Sequence, residues 1–432
     1  MTASRRAFLG SSLASLAAAP ILAAEADVKA IAKPAANLLL PSMRLFDDAV
    51  FQPNTMLLTW RRDPTTTMVV QWIGVRGETD DTNIYYTPAS AALVPGWKKQ
   101  ATASKPYPFS DFRVFRAELT ELKPGTDYVF QVGKQSPTYR FRTMPAKATD
   151  TISFISGGDC GVNSHAIANN IQAAKQDPMF TVIGGDLAYE NGRSVDTHLA
   201  FVRNYAKHML DSKGRIIPLV ATLGNHEVDG GYSKSREKAP FFFALFDALF
   251  SETSYATLDF GDYLSLVLLD TGHISKVAGA QTEWLEKTLK ERADHPHVIP
   301  VNHVPCYPSN RNMEEPDGKP GTGADQRKYW TPLFDKYRTP LVLEHHDHTF
   351  KRTAPLIDGM RNDHGVLYLG DGSWGRIRAP KKPEKMPILA KSSEAYHMSL
   401  HRIEGEERFH LALDERGRVM DVCRSGQRAS KT

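Results

Sequence analysis

Residues 151–161 read TISFISGGDCG, an apolar run that stops at Gly158-Asp159-Cys160-Gly161. The run reads as a buried strand, and the carboxylate stands where it ends. The same pattern recurs along the chain. FTVIGG leads into Asp186-Leu187-Ala188-Tyr189, RIIPLVATLG into Asn225-His226-Glu227, HVIPVN into His303, and PLVLE into His345-His346-Asp347-His348. YLSLVLLD and GVLYLG are further runs of this kind, and AYHMSLHRIEG, ERFHLALDE and GRVMDVCR read as closing strands. Between the runs, Asn163 to Gln176, Asp196 to Leu210, Gln281 to Ala293 and Asp325 to Tyr337 carry apolar residues at helical period. Strands buried on both faces with helices between them predict an α/β fold over residues 148–425, a layered β-sheet sandwich flanked by helices.

Ligands of α/β sheets bind beyond the carboxyl ends of the strands, so the five groups should converge although they are scattered in sequence. Converged, they supply carboxylates, an Asn carbonyl, imidazoles and a phenol with almost no basic side chain to neutralise them. Carboxylates sharing a crevice raise one another's pKa unless a cation sits among them. The donors are oxygen and nitrogen without thiolate, which suits Fe, Mn or Zn, and there are too many for one ion. A two-metal site needs a bridging carboxylate. Strand period in LEHHDH (residues 343–348) places His346 and His348 on one face, with His345 and Asp347 on the other.

The chain's 432 residues are enough for two domains, and 41% hydrophobic with 24% charged residues is a globular composition. A net charge of +4 over this length does not point to nucleic acid or an anionic membrane. Three cysteines, Cys160, Cys306 and Cys423, are too few for a disulfide scaffold. From Val50 to Pro145 the runs TMLLTW, TTMVVQWIG, TNIYYT, FRVFRAELT, TDYVFQVG and TYRFRTM read as strands of an all-β sandwich domain, assigned to residues 50–147. ELKPGTDYVFQVG resembles the edge of a fibronectin type III domain. Residues 1–26 combine Arg5-Arg6, an apolar stretch and small residues, as an export signal does, and the stretch is too short to remain as a membrane anchor. Ser4-Arg5-Arg6-Ala7-Phe8-Leu9 resembles the twin-arginine pattern, which implies the twin-arginine export machinery as partner and a periplasmic or secreted location. Residues 27–49 read as a linker and 426–432 as a tail.

The order Asp159-x-Gly161, Gly185-Asp186-x-x-Tyr189, Gly224-Asn225-His226-Glu227, His303 and His346-x-His348 resembles the five blocks of the metallophosphoesterase superfamily. Tyr189, with the preceding sandwich, resembles the purple acid phosphatases in particular. The resemblance implies two metal ions: Fe3+ on Asp159, Tyr189 and His348, a divalent Fe, Zn or Mn on Asn225, His303 and His346, and Asp186 bridging. It further implies hydrolysis of small phosphate monoesters by a metal-bridging hydroxide, with Asn225 and His226 on the substrate and His226 a candidate for protonating the leaving alkoxide. A metal-dependent phosphodiesterase and an inert exported binding protein are the alternatives.

Two positions depart from that pattern. His345 stands where the family has Gly, which would restrict backbone approach or add a substrate contact, and Pro300 replaces a valine. Residues 305–326 contain none of the substrate histidines of plant enzymes, leaving Tyr307, Asn310 or Arg311 for recognition. Asp270 and Asp371 also end apolar runs and read as strand-end turns, Cys160 reads as a small packed residue, His273 could line the cleft, and Glu227 could orient His226. Oligomeric state is not fixed by the sequence.

Overall fold

A computed structural model describes residues 51–148 and 151–426. The expected signal, linker and tail beyond Gly426 lie outside those residues. Among the described residues no helix is long and apolar enough to cross a membrane.

The first domain is a sandwich of two four-stranded antiparallel sheets. One has the order Leu57–Thr59, Met68–Gly74, Arg113–Leu119, Ala103–Pro106, and the other Lys98–Gln100, Ile84–Pro88, Asp127–Val132, Tyr139–Arg142. Six of these eight strands are the runs read from the sequence. Lys98–Gln100 and Ala103–Pro106 are mostly exposed and lack an apolar face, so nothing in their composition marks them. Met68–Gly74 is buried along its whole length, because one face fills the sandwich and the other meets the second domain. Gln71 Nε2 donates to Leu245 O at 3.2 Å, and Arg116 and Lys105 both reach Asp247, at 2.6 and 2.5 Å. Trp60 sets its edge on Phe180 and Phe260 across the same seam.

The second domain holds two mixed sheets. The six-stranded sheet has the order Leu219–Ala221, Phe180–Ile183, Ile152–Gly157, His397–Glu404, Glu407–Asp414, Val419–Ser425. The seven-stranded sheet runs Ala256–Phe260, Leu264–Leu268, His297–Val301, Leu341–Glu344, Leu367–Asp371, Phe350–Thr353, Leu389–Ser393. Phe180 stacks on Phe260 at 4.9 Å and Arg408 reaches His297 Nδ1 at 2.6 Å, so the sheets pack face to face. Helices cover the outside: Leu285 and Leu289 of Ala280–Glu291 pack with Trp330 and Phe334 against Val267, Val298 and Val342. The expected helix from Asp325 to Tyr337 is two helices, Ala324–Tyr329 and Thr331–Lys336, broken where Pro332 removes a backbone donor.

What positions the site is parallel pairing. Ile152–Gly157, Phe180–Ile183 and Leu219–Ala221 run parallel, as do Leu264–Leu268, His297–Val301, Leu341–Glu344 and Leu367–Asp371. Their carboxyl ends therefore open along one edge of each sheet.

Candidate metal centre

Beyond the strand ends, backbone hydrogen bonds continue the pairing into the loops. Asp159 N donates to Gly185 O at 3.1 Å, Cys160 N to Asp186 O at 2.9 Å, and His345 N to His303 O at 3.0 Å. The buried carboxylate of Glu227 accepts from the backbone nitrogens of Asp186, Leu187 and Gly224 at 2.7–2.8 Å, clamping the second loop to the third. That is a different task from orienting His226, whose Nδ1 lies 2.5 Å from Asn191 Oδ1 instead. His226 N and His346 N donate to Asp186 Oδ1 and Asp159 Oδ2, both at 2.8 Å.

The side chains so placed form two groups. Asp159 Oδ1 is 3.0 Å from His348 Nε2 and 3.3 Å from Tyr189 Oη, which is itself 3.0 Å from His348 Nε2. In the other group His303 Nε2 lies 3.2 Å from Asn225 Oδ1, 3.1 Å from His346 Nδ1 and 3.4 Å from Asp186 Oδ1. Donor atoms of Asp159, Asp186, His303 and His346 all fall within 4.8 Å of one another. His303 Nδ1 is 2.8 Å from Gly184 O, so that nitrogen carries the proton and Nε2 turns its lone pair to the cluster.

Asp159 and Asp186 are fully buried, and Asp186 Oδ2 has no hydrogen-bond partner. Burial, then the charges of Asp159 and Glu227, push the Asp186 carboxyl well above its ordinary pKa. Burial alone would raise Asp159 too, but His348 holds it below the usual carboxylate range. Burial raises the Tyr189 phenol and lowers His303 and His346. His226, half-buried, is pushed down to about 4, first by burial. Buried carboxylates with an orphaned oxygen, facing imidazole lone pairs without a fixed cation among them, fit metal ions.

The backbone is strained at the same points. Asp159, Asp186, Tyr189, His346 and His348 all have φ between 54° and 71°, the left-handed region. Each such residue costs on the order of 1 kcal/mol or more, and they collect where donors must be aimed inward. The alternation expected from strand period in LEHHDH is thus produced otherwise: the strand ends at Glu344, and two left-handed turns aim His346 and His348 at the cluster. His345 does not face substrate. It is 1% exposed, its Nδ1 is 2.7 Å from Asn302 O, and its ring fills the space over Gly158 and Gly184, where any Cβ would collide with it.

Tyr307 also lies away from the cluster, in the hydrophobic core with its ring edge on Tyr368 at 4.7 Å. Asn310 N donates to Asp347 Oδ2 at 2.7 Å, and Arg311 donates to Asp347 Oδ1 at 2.8 Å and to His346 O, so both brace the fourth loop against the fifth. Asp270 takes the backbone N–H groups of residues 272–275, as a turn should. His273 packs behind the site, on Tyr232 and His303. Cys160 is buried, in line with a packed residue.

Residues 152–350 match the calcineurin-like phosphoesterase family, and residues 53–143 the purple acid phosphatase N-terminal domain. The chain belongs to the purple acid phosphatase type of calcineurin-like phosphoesterases. The family implies a dinuclear metal centre, and the converging donors form a candidate site for metal. The chain is 26% identical to human acid phosphatase type 7 over 297 residues, 61% of this chain and 64% of that protein. It is 24% identical to purple acid phosphatase 23 of Arabidopsis thaliana over 289 residues, 59% of this chain and 61% of the relative. The chain thus spans less than two thirds of the length of these relatives. Among solved structures, the purple acid phosphatase PPD1 from yellow lupin (Lupinus luteus) seeds superposes with a TM-score of 0.69 at 16% identity, covering 85% of this chain and 73% of that one.

Several residues of this phosphoesterase site escaped the sequence reading. Asn191 and Tyr232, whose Oη is 3.4 Å from His346 Nε2, carry no motif. The loop after Leu367–Asp371 had a signal, the Asp371-Gly372 pair at a strand end. Gly372 lies so close to Asp159 Oδ2 and His346 N that a Cβ would sit 2.7 and 2.9 Å from them. A cavity of about 770 Å³, bounded by Tyr232, Lys234, Val277, Thr322 and His346, opens the site on its His346 side.

Proposed function

We propose that this chain is an exported phosphatase that hydrolyses phosphate monoesters at a dinuclear metal centre. The observation that carries the reading is Asp186: a buried carboxylate with one unpartnered oxygen, standing between the donors of Asp159, Tyr189 and His348 and those of Asn225, His303 and His346. The phenol and carboxylate suit Fe3+, and the second group, richer in neutral donors, suits a divalent Fe, Zn or Mn, with Asp186 shared. Bound there, the ions would supply Lewis acidity to the phosphoryl oxygens and to the attacking water. Export is supported by residues 1–26, with the paired Arg5 and Arg6.

The chain's own groups account for the rest. His226 is held by Asn191 at Nδ1 and by the face of Tyr189, ring centroids 4.3 Å apart, so its Nε2 side is fixed toward the crevice. Nε2 lies 3.9 Å from Asp186 Oδ2. Protonated, it donates to a phosphoryl oxygen or to the departing alkoxide. Asn225 Nδ2 is left to donate to the ester, because Asn225 Oδ1 faces His303. The deciding experiment is elemental analysis with a visible spectrum on exported protein, beside rates on a monoester and a bis-ester. Two ions per chain, an absorption band lost in Tyr189→Phe and faster monoester turnover are expected. A single ion overturns the dinuclear reading, a persisting band removes Tyr189 from the iron, and faster bis-ester turnover makes the protein a phosphodiesterase.

A further inference from the structure

The segment that carries His346 and His348 is closed at both ends by charges that the metal site does not use. Strand Leu341–Glu344 pairs with Leu367–Asp371, which pairs in turn with Phe350–Thr353, so Glu344, Gly370 and Lys351 stand side by side across three strands. Lys351 crosses the middle strand because Gly370 has no side chain: a Cβ there would sit 2.6 Å from Lys351 Cγ and 2.8 Å from Cε. Lys351 Nζ reaches Glu344 Oε2 at 2.7 Å, and neither side chain is more than 1% exposed. Both then grip the segment that follows His303. Glu344 Oε1 accepts from Cys306 N at 2.6 Å, and Lys351 Nζ donates to Tyr307 O.

We propose that Glu344 and Lys351 are positioning residues for the divalent-metal half of the centre, holding His303 and His346 at one fixed separation. The inference rests on the dinuclear reading. Taking two charges out of water costs about what their attraction returns, and an apolar pair would often stabilise the fold as well. What the charges add is direction, since a carboxylate and an ammonium each fill several hydrogen-bond sites at short range. Here they tie Cys306 and Tyr307, just past His303, to the two ends of segment 344–351. That segment holds His346 and His348 at φ 71° and 59°, and strained residues persist only where their surroundings over-determine them. His303 Nε2 and His346 Nδ1, 3.1 Å apart, are the two donors the clamp brings together. The iron half is held otherwise: Asp159 and Tyr189 lie on other loops, and His348 O accepts from Arg378 N at 2.7 Å. Neither clamp residue touches an ion, and hydrogen bonds that fix metal-binding histidines from outside typically change metal affinity about ten- to a hundredfold when removed.

The test is titration with Zn2+ of full-length protein that has kept its iron and lost its divalent ion to mild chelation. Glu344→Leu/Lys351→Met removes both grips, and Zn2+ should bind about tenfold or more weakly while the Tyr189 absorption band stays. Glu344→Gln/Lys351→Met keeps an acceptor for Cys306 N and should recover part of the loss. Gly370→Ala pushes Lys351 aside without altering any charge, and should weaken Zn2+ binding in the same direction. Circular dichroism melts of the chelated proteins check folding, and where the first double variant does not fold the other two carry the comparison. Wild-type Zn2+ affinity in the folded variants, or equal weakening of both ions, overturns the clamp and leaves the dinuclear reading standing. Wild-type protein that holds only one ion overturns both.

Discussion

In the β-sandwich, Thr55 Oγ1 donates to Ile73 O at 2.7 Å and accepts from Ile73 N at 3.0 Å, and Tyr128 Oη accepts from Lys123 N at 2.9 Å. In the α/β domain, by contrast, Asp186 is equally buried and keeps one oxygen with no partner. The backbones differ in the same sense. Left-handed non-glycine residues of the sandwich, such as Phe109 and Glu121, sit in turns, whereas five proposed ligands of the second domain adopt that conformation side by side. The orphaned buried atom of the sandwich, among the described residues, is the neutral hydroxyl of Tyr139, whereas the second domain leaves carboxylate charge and backbone strain together at one place. This contrast assigns stability to one region and chemistry to the other, and it can be attacked at the site, at the seam and in the sandwich.

The largest effect belongs to the site. Asp186→Asn removes the buried charge that both donor groups share, and turnover should fall by roughly a thousandfold, comparable to losing a major electrostatic element of an active site. Metal content should fall with it. Chelation should destabilise the wild-type protein by about 4 kcal/mol, if the ions stand near a thousand times their Kd, and should barely move the variant. With the buried charge gone, the metal-free variant should melt above the metal-free wild type. A variant that keeps both ions and its turnover would erase the contrast between the domains.

How far this division could be seen beforehand depends on which signal carried it. The apolar runs ending in Asp159, Asp186, Asn225, His303 and His346 were legible because parallel strands are buried on both faces and end abruptly. Tyr189 and His348 entered through the resemblance of the same blocks to the metallophosphoesterase pattern. His345 was not, since its neighbours, Gly158 and Gly184, lie on other strands and only the folded chain shows that its ring occupies the volume their missing Cβ atoms leave. Tyr307 was misplaced for a related reason: it follows the fourth block closely, yet Trp330 and Tyr368, distant in sequence, draw it into the core. Exposed edge strands such as Lys98–Gln100 had no apolar face to betray them.

The seam between the domains should respond to acid. His198, on helix Val195–His208, is buried against Phe241, with Nδ1 2.5 Å from the hydroxyl of Tyr107, which follows strand Ala103–Pro106. Burial pushes its pKa down to about 3, against about 6.5 in an unfolded chain. The folded form therefore binds this proton less readily than the unfolded one. The contribution is fully present above pH about 6.5 and is lost as pH falls toward about 3, to the extent of roughly 4 kcal/mol. His198→Gln should flatten that part of the profile when urea midpoints are compared at pH 4 and pH 7. Identical slopes in variant and wild type would place the acid sensitivity elsewhere.

The smallest effect is expected inside the sandwich. Tyr128→Phe deletes the hydroxyl that accepts Lys123 N but leaves the ring stacked on Phe141, centroids 5.3 Å apart. Loss of one neutral hydrogen bond at a partly solvated turn costs about 1 kcal/mol. Lys123 N can turn to water, so the full penalty of a buried orphan donor does not apply. The urea midpoint should drop by that amount while metal content and turnover per folded molecule stay at wild-type values, since the sandwich contributes no donor to the cluster. If Tyr128→Phe instead lowers metal content, the sandwich is coupled to the donor loops through the Asp247 and Tyr107 contacts, and the two domains form one functional unit.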